Sequence, residues 1–257
     1  CTFLIGWCKI KYMGLLGNII LFSLLGGVVS LAGGIILLYW RRLTDYVLEL
    51  TSFAAGVLIT ISILDLIPES FGANNPEAVS LLILAGVLFL FFMERTSVWF
   101  HHHHEPHDHG PSMFGVWLGD TLHNFIDGVA IGTSFLLGNN LGIATAIAVG
   151  IHELPQEIAD FSLYIKAGYS RAKTIALNIL SSFSTLLGGV LVYVFGSAIG
   201  GMELYILAFT AGMFLYIALS DLIPELHTIT KKNAIQRQLL AFTFGLAVAF
   251  ASIKLLG

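Results

Sequence analysis

The chain has 257 residues, 56% of them hydrophobic and 11% charged, with a formal net charge of −4. A soluble domain carries about 25% charged residues, so this composition excludes a water-solvated globule and makes a lipid bilayer the main solvent; no nucleic-acid partner is expected. Mean hydropathy is +0.86. The two cysteines, Cys1 and Cys8, form neither a disulfide framework nor a zinc-finger spacing, so any metal chemistry uses nitrogen and oxygen. The first residue is Cys1 rather than Met, so a processed or incomplete start is expected, with Met13 a later candidate start.

Crossing the hydrocarbon core takes about 20 apolar residues. Eight stretches qualify, near 14–40, 47–68, 78–100, 114–138, 141–166, 174–199, 202–226 and 237–256. The first carries Gly33-Gly34, and the second ends in Asp65-Leu66-Ile67-Pro68-Glu69. The third leads into a tract at 101–113 containing His101, His102, His103, His104, His107 and His109. Short His-rich tracts bind metals. This one is internal and interrupted by Glu105 and Asp108, which argues for a flexible metal trap or sensor and against a purification tag.

The fourth stretch holds His123-Asn124-Phe125-Ile126-Asp127-Gly128 and the fifth His152-Glu153-Leu154-Pro155-Gln156-Glu157. Only Gly138-Asn139-Asn140 separates the two, which predicts an antiparallel helical hairpin. Pro155 removes one backbone hydrogen bond and frees the Ile151 carbonyl, a break tolerated where backbone lines an ion path. In the sixth stretch Asn178 and Thr185 are seven apart, share a helix face and offer neutral oxygens. The seventh repeats the Asp-Leu-Ile-Pro-Glu block at Asp221–Glu225, followed by His227.

Lys and Arg cluster after alternate stretches: Arg41 and Arg42, then Arg95, then Lys166, Arg171 and Lys173, then Lys231, Lys232 and Arg237. The positive-inside rule puts these ends in the cytoplasm and both termini outside, with Lys9, Lys11 and Lys254 as exceptions. Asp65 and Glu69 then lie near the outer mouth, and Asp221, Glu225 and His227 near the inner one, where they collect or release cations or simply sit at the interface. Residues 53–70 and 209–226 are identical at nine of eighteen positions, and Gly33-Gly34 is echoed by Gly188-Gly189. The two copies run in opposite directions through the membrane. That is an inverted-topology repeat, the construction of many secondary transporters, which place their site near the midplane. The expected fold is therefore all-α, eight transmembrane helices in a single domain, with helices one to three resembling six to eight around the helix four–five hairpin.

At about 100° per residue, Asp127 lies about 40°, Asp120 about 60° and Asn124 about 100° from His123 on the fourth helix. On the fifth, Gln156 lies about 40°, Asp160 about 80°, Glu153 about 100° and Glu157 about 140° from His152. Each helix presents a polar stripe, and the hairpin turns the stripes together at matching depth. Five acids, Asp120, Asp127, Glu153, Glu157 and Asp160, have no Lys or Arg partner nearby in these stretches. Unpaired charge is costly in lipid. A divalent cation would neutralise two carboxylates and take both imidazoles, a donor set that suits Zn²⁺, Fe²⁺ and Mn²⁺ over Mg²⁺ or Cu⁺. The competing reading is a hydrogen-bonded polar core that only fixes helix packing.

These residues resemble the ZIP (Zrt/Irt-like protein) family of divalent-metal transporters over nearly the whole chain. The HNxxDG motif is matched at His123, Asn124, Asp127 and Gly128, and HExPxE at His152, Glu153, Pro155 and Glu157. The resemblance implies a binuclear site: His123, Asp127, His152 and Gln156 at one position, and Asn124, Asp127, Glu153 and Gln156 at its neighbour. It also implies inward metal movement, helices one, four, five and six sliding against two, three, seven and eight, and a homodimer. Two departures stand out. Thr185 replaces a residue that is charged in some members, and Gln156 replaces a His or Glu. Glu157 is the nearest carboxylate to compensate.

The expected function is import of divalent metal, Zn²⁺ first, with Fe²⁺, Mn²⁺ or Cd²⁺ as further substrates, by an integral protein of a plasma membrane or bacterial-type inner membrane. An intramembrane zinc protease is the enzyme alternative, but its HExxH motif needs a His where Gln156 stands. A metal-sensing receptor signalling through the His-rich tract is the third reading.

Overall fold

A computed structural model describes residues 14–39, 46–102, 113–196, 198, 200–228 and 231–256. Among the described residues there are eight long helices and no strand: α1 (Leu15–Tyr39), α2 (Val47–Ser70), α3 (Pro76–His102), α4 (Met113–Leu137), α5 (Asn139–Lys166), α6 (Arg171–Phe195), α7 (Glu203–Leu226) and α8 (Lys232–Leu256). Six of them are long and apolar enough to cross a membrane. The two that are not, α4 and α5, are those whose apolar run is broken by the polar blocks. His103, His104, His107 and His109 lie outside the described residues, as do the side chains of His101 and His102.

Boundaries differ from expectation where capping extends a helix beyond its apolar run. Gly138 alone links α4 to α5, because Asn139 and Asn140 begin α5 rather than forming a turn. The α5–α6 connection is also tight. The Tyr169 N–H donates to the Tyr164 carbonyl at 3.0 Å and Gly168 adopts φ 83°, the left-handed conformation that glycine takes without a Cβ clash. Ser170 then caps α6, its side chain accepting from the Lys173 N–H at 3.2 Å, so α6 starts at Arg171 and not near residue 174. It ends at Phe195, before the expected 199, and α8 starts at Lys232, before the expected 237, its polar first turns standing clear of the apolar run.

The two copies of the sequence repeat share an unusual backbone. A wide π-helical turn spans Ser62–Leu66 in α2 and Ile217–Leu222 in α7, just before Pro68 and Pro224. The Ile67 N–H donates to the Ser62 carbonyl, and the Ile223 N–H to the Ala218 carbonyl, the same five-residue bond in each copy. A proline ring clashes with the carbonyl four residues back, and one extra residue in the turn moves that carbonyl aside.

Packing follows the same pairing. Along their most apolar stretches α2 and α7 are both 61% buried, whereas α3 and α8 are both 17% buried, so the first pair is central and the second peripheral. α2 packs along α8 and α3 along α7. These seams are reciprocal: a Cβ on Gly56 would strike the Phe242 carbonyl and one on Gly245 the Phe53 carbonyl, while Gly212 meets Ile83 and Gly86 meets Phe209 in the same way. Lipid offers no hydrophobic drive between helices, so such close backbone approach supplies the packing energy. Arg237 Nε lies 2.8 Å from Glu49 Oε1, an ion pair that brings the first turns of α2 and α8 to one end of the bundle.

Candidate metal site

α4 and α6 lie backbone to backbone beside the site. A Cβ on Gly128 would strike the Thr185 carbonyl, and one on Gly188 the Phe125 carbonyl. Trp117 Nε1 donates to the Leu177 carbonyl at 3.2 Å, and Ser184 Oγ donates to the Thr121 carbonyl at 2.7 Å. These tethers hold α4 against α6.

Four side chains converge there. His123 Nε2 and His152 Nε2 are 3.2 Å apart. Asp127 Oδ2 lies 3.6 Å from His123 Nε2 and 3.3 Å from His152 Nε2. Glu153 Oε1 lies 3.4 Å from His123 Nε2. Metal–nitrogen and metal–oxygen bonds of about 2.0–2.2 Å at tetrahedral angles require ligand atoms about 3.3–3.5 Å apart. These four separations fall around that edge length, and ligand atoms of all four residues lie within 4.8 Å of one another, an arrangement that could hold a Zn²⁺-sized ion. His152, Asp127 and Glu153 are at most 2% exposed.

The surroundings orient the donors. His152 Nδ1–H donates to the Ala148 carbonyl at 3.1 Å, which leaves the Nε2 lone pair directed at the centre. The Phe214 ring on α7 stacks edgewise on His152, with centroids 5.6 Å apart. Asn124 is held from both sides: its Nδ2 donates to Asp120 Oδ1 at 2.8 Å, and its Oδ1 accepts from Thr185 Oγ1 at 2.9 Å. The Gln156 side chain, a turn after His152, stands against His123, and its buried Oε1 can serve as a neutral ligand.

The other residues singled out from the sequence fall into three places. Asp120 and Glu157 gather with Glu153, their carboxylate oxygens within 4.8 Å of one another, and Asp160 lies next along α5. Asp65 and Glu69 line a cavity of about 460 Å³ at the α4–α5 hairpin, together with Asn139 and Asn140. Asp221, Glu225 and His227 are exposed at the end of α7. Asn178 is wholly buried, but its Nδ2 donates to the Thr174 carbonyl within α6, at 2.9 Å.

Several contributors were not anticipated. The Ala148 carbonyl and Phe214 leave no polar mark in the sequence. Ser134 and Thr145, hydrogen-bonded across the hairpin at 2.9 Å, and Asn18, donating to Asn139 Oδ1 at 3.1 Å, do. They are isolated polar residues in apolar runs, the same signal that marked the two histidine blocks.

The family model described as ZIP Zinc transporter matches residues 102–252. Zinc transporter ZIP10 of Homo sapiens is 41% identical over 140 residues, 49% of this chain and 17% of its own length. Metal cation symporter ZIP14 of Xenopus tropicalis is 40% identical over 126 residues, 49% of this chain and 27% of its own. Zinc transporter ZIP13 of Pongo abelii is 29% identical over 196 residues, 69% of this chain and 58% of its own. The chain thus spans about a sixth of ZIP10 and about a quarter of ZIP14. The matched region includes both histidine blocks and the helices that bring them together, so the chain is an integral membrane protein and belongs to the ZIP zinc transporter family.

Proposed function

We propose that this chain moves divalent transition-metal ions across the membrane into the cytoplasm, with Zn²⁺ the preferred substrate and Fe²⁺, Mn²⁺ or Cd²⁺ as further ones. The observation that carries the reading is the convergence of two imidazole nitrogens 3.2 Å apart with Asp127 and Glu153, at tetrahedral spacing inside an apolar bundle. The names of the relatives, zinc transporter and metal cation symporter, support the same substrate class.

The ligand set is His123, Asp127, His152 and Glu153, with Gln156 adjacent; Asn124 is a second-position ligand held by Thr185. Glu153 joins the imidazole cluster beside Gln156, the residue that the family resemblance assigns there. The transport domain comprises eight membrane-crossing helices. α4 and α5 cross despite their polar blocks because those blocks face one another and not lipid. Helices α1 to α3 and α6 to α8 form an inverted repeat, a reading supported by the shared π-helical turns and the reciprocal glycine seams. Both termini lie outside, and the His-rich tract at 101–113 is cytoplasmic. Asp65 and Glu69 line the outer entry and Asp221, Glu225 and His227 the inner end. Two chains associate as a homodimer.

The test is uptake of radioactive Zn²⁺ into proteoliposomes, with Fe²⁺, Mn²⁺ and Cd²⁺ as competitors. Uptake by the parent and none by His123→Ala or Asp127→Ala, each still inserted, is the expected result. Equal uptake by all three would sink the assignment.

A further inference from the structure

We propose that the wide turns of α2 and α7 are register devices: each holds the acidic pair that follows it off the core face of its helix, aiming Asp65 and Glu69 at the hairpin cavity and Asp221 and Glu225 at the opposite mouth. This rests on the transport reading above, which puts those residues at the two mouths, and it supplies what positions them there.

Uninterrupted, α2 would point Asp65 inward. The buried positions before or at the turn include Leu58 and Ser62, both 0% exposed. Seven residues of regular helix return to within about 20° of the same face, so Asp65 would follow Leu58, and Glu69 would follow Ser62, into the core. Instead the positions one residue later are buried. Leu66 and Ser70 are both 0% exposed, while Asp65 and Glu69 line the cavity of about 460 Å³ with Asn139 and Asn140. The one extra residue of the turn accounts for that shift of one position.

α7 repeats the arrangement with different side chains. Phe214 and Ala218 are both 0% exposed, and a regular helix would bring Asp221 and Glu225 into line with them. Leu222 is buried in place of Asp221, and Asp221 and Glu225 are exposed. Phe214 is the residue that meets His152, so without the offset Asp221 would stand on the α7 face that covers the imidazole cluster, about two turns further along. Charge there is costly in a bilayer. Pro68 and Pro224 exclude a regular turn, because each ring clashes with the carbonyl four residues back; the burial of Leu66 and Leu222 fixes which side the surplus residue turns outward.

A register device carries a signature that a plain kink lacks. Deleting a residue from a membrane helix rotates everything beyond it by about 100°. Within the wide turn alone, loss of one residue restores a regular helix and leaves both flanks facing as before.

The test deletes Leu64 together with Pro68→Ala, since the proline would clash in a regular turn, and compares it with deletion of Ala54 in the regular part of α2. All variants of the full chain carry Cys1→Ser and Cys8→Ser, which removes the native thiols. Facing is read in detergent from the reaction of Asp65→Cys and Leu66→Cys with a charged thiosulfonate. Function is read from Zn²⁺ uptake into proteoliposomes, with Asp65 and Leu66 intact. In the parent helix Asp65→Cys should react and Leu66→Cys should not. The Leu64 deletion should keep that pattern, with half-saturating Zn²⁺ near the parent's, whereas the Ala54 deletion should abolish uptake. Equal reaction at the two positions in the parent helix would overturn the proposal. So would loss of folding, of the labelling pattern or of uptake on deleting Leu64, or uptake that survives deletion of Ala54. The transport reading fails separately, by absence of Zn²⁺ uptake in the parent, and the labelling outcomes are still read in that case.

Discussion

His152 shows how little freedom the site leaves its ligands. One nitrogen is committed to the Ala148 carbonyl, and the ring is wedged against Phe214, so the other nitrogen has a single direction available. Such preorganisation makes the loss of a ligand severe. Outer-sphere partners of a metal ligand are worth about 10–100-fold in affinity, and a ligand itself at least that. His152→Ala and Asp127→Asn are therefore expected to weaken Zn²⁺ binding about a hundredfold or more by equilibrium dialysis. Thr185→Val keeps the shape but removes the hydroxyl that donates to Asn124 Oδ1. Its expected effect is smaller, about tenfold in the Zn²⁺ concentration giving half-maximal uptake; no change would show that Thr185 does not act through Asn124. At this scale the histidines and acids were legible because charge in an apolar run has few explanations. The Ala148 carbonyl was not, because a backbone acceptor leaves no trace in residue identity.

Helix existence and order followed from hydrophobic length, and departures were confined to the ends. Caps and connections decided those ends: Ser170 added a turn to α6, and the short link at Gly138 let α5 begin at Asn139. The π-helical turns were hidden for a different reason. Proline announces a disturbed helix, but whether the chain kinks, breaks or widens depends on how neighbouring helices hold it. Gly128 carries an element-level prediction. Its Cα sits against the Thr185 carbonyl, so Gly128→Val must push α4 away from α6 and should sharply lower the monodisperse yield in detergent. Gly119→Val, on the same helix with nothing within 4 Å of its would-be Cβ, should leave the yield near that of the parent. Deleting residues 101–109 should leave Zn²⁺ uptake largely intact, because the four converging side chains all lie on α4 and α5; complete loss of uptake would make the His-rich tract part of the route.

For the whole molecule, the pairing of α2 with α8 and of α3 with α7 matters more than any single contact. Glycine seams that recur at equivalent positions of the two sequence copies give the α2–α8 and α3–α7 pairs the same packing. The topology predicts that an epitope placed after residue 257 is reached by antibody on intact cells, whereas one inserted in the 101–113 tract is reached only after permeabilisation. Reversed accessibility would invert the proposed direction of entry, and with it the assignment of Asp65 and Glu69 to the outer mouth.

The sequence by itself determined the solvent, the all-helical class, the repeat and the residue types of the site, because each is written in local composition and spacing: apolar runs, a nine-in-eighteen match, polar arcs on two helices. Tertiary structure alone decided which side chains meet. Glu153 and Gln156 both face the interior by helical angle, and the packing of α5 against α4 brings both to His123, Glu153 Oε1 at 3.4 Å from its Nε2. Helical periodicity gives a face to within tens of degrees. Choosing between neighbouring donors needs ångströms, and those come from how the backbones pack.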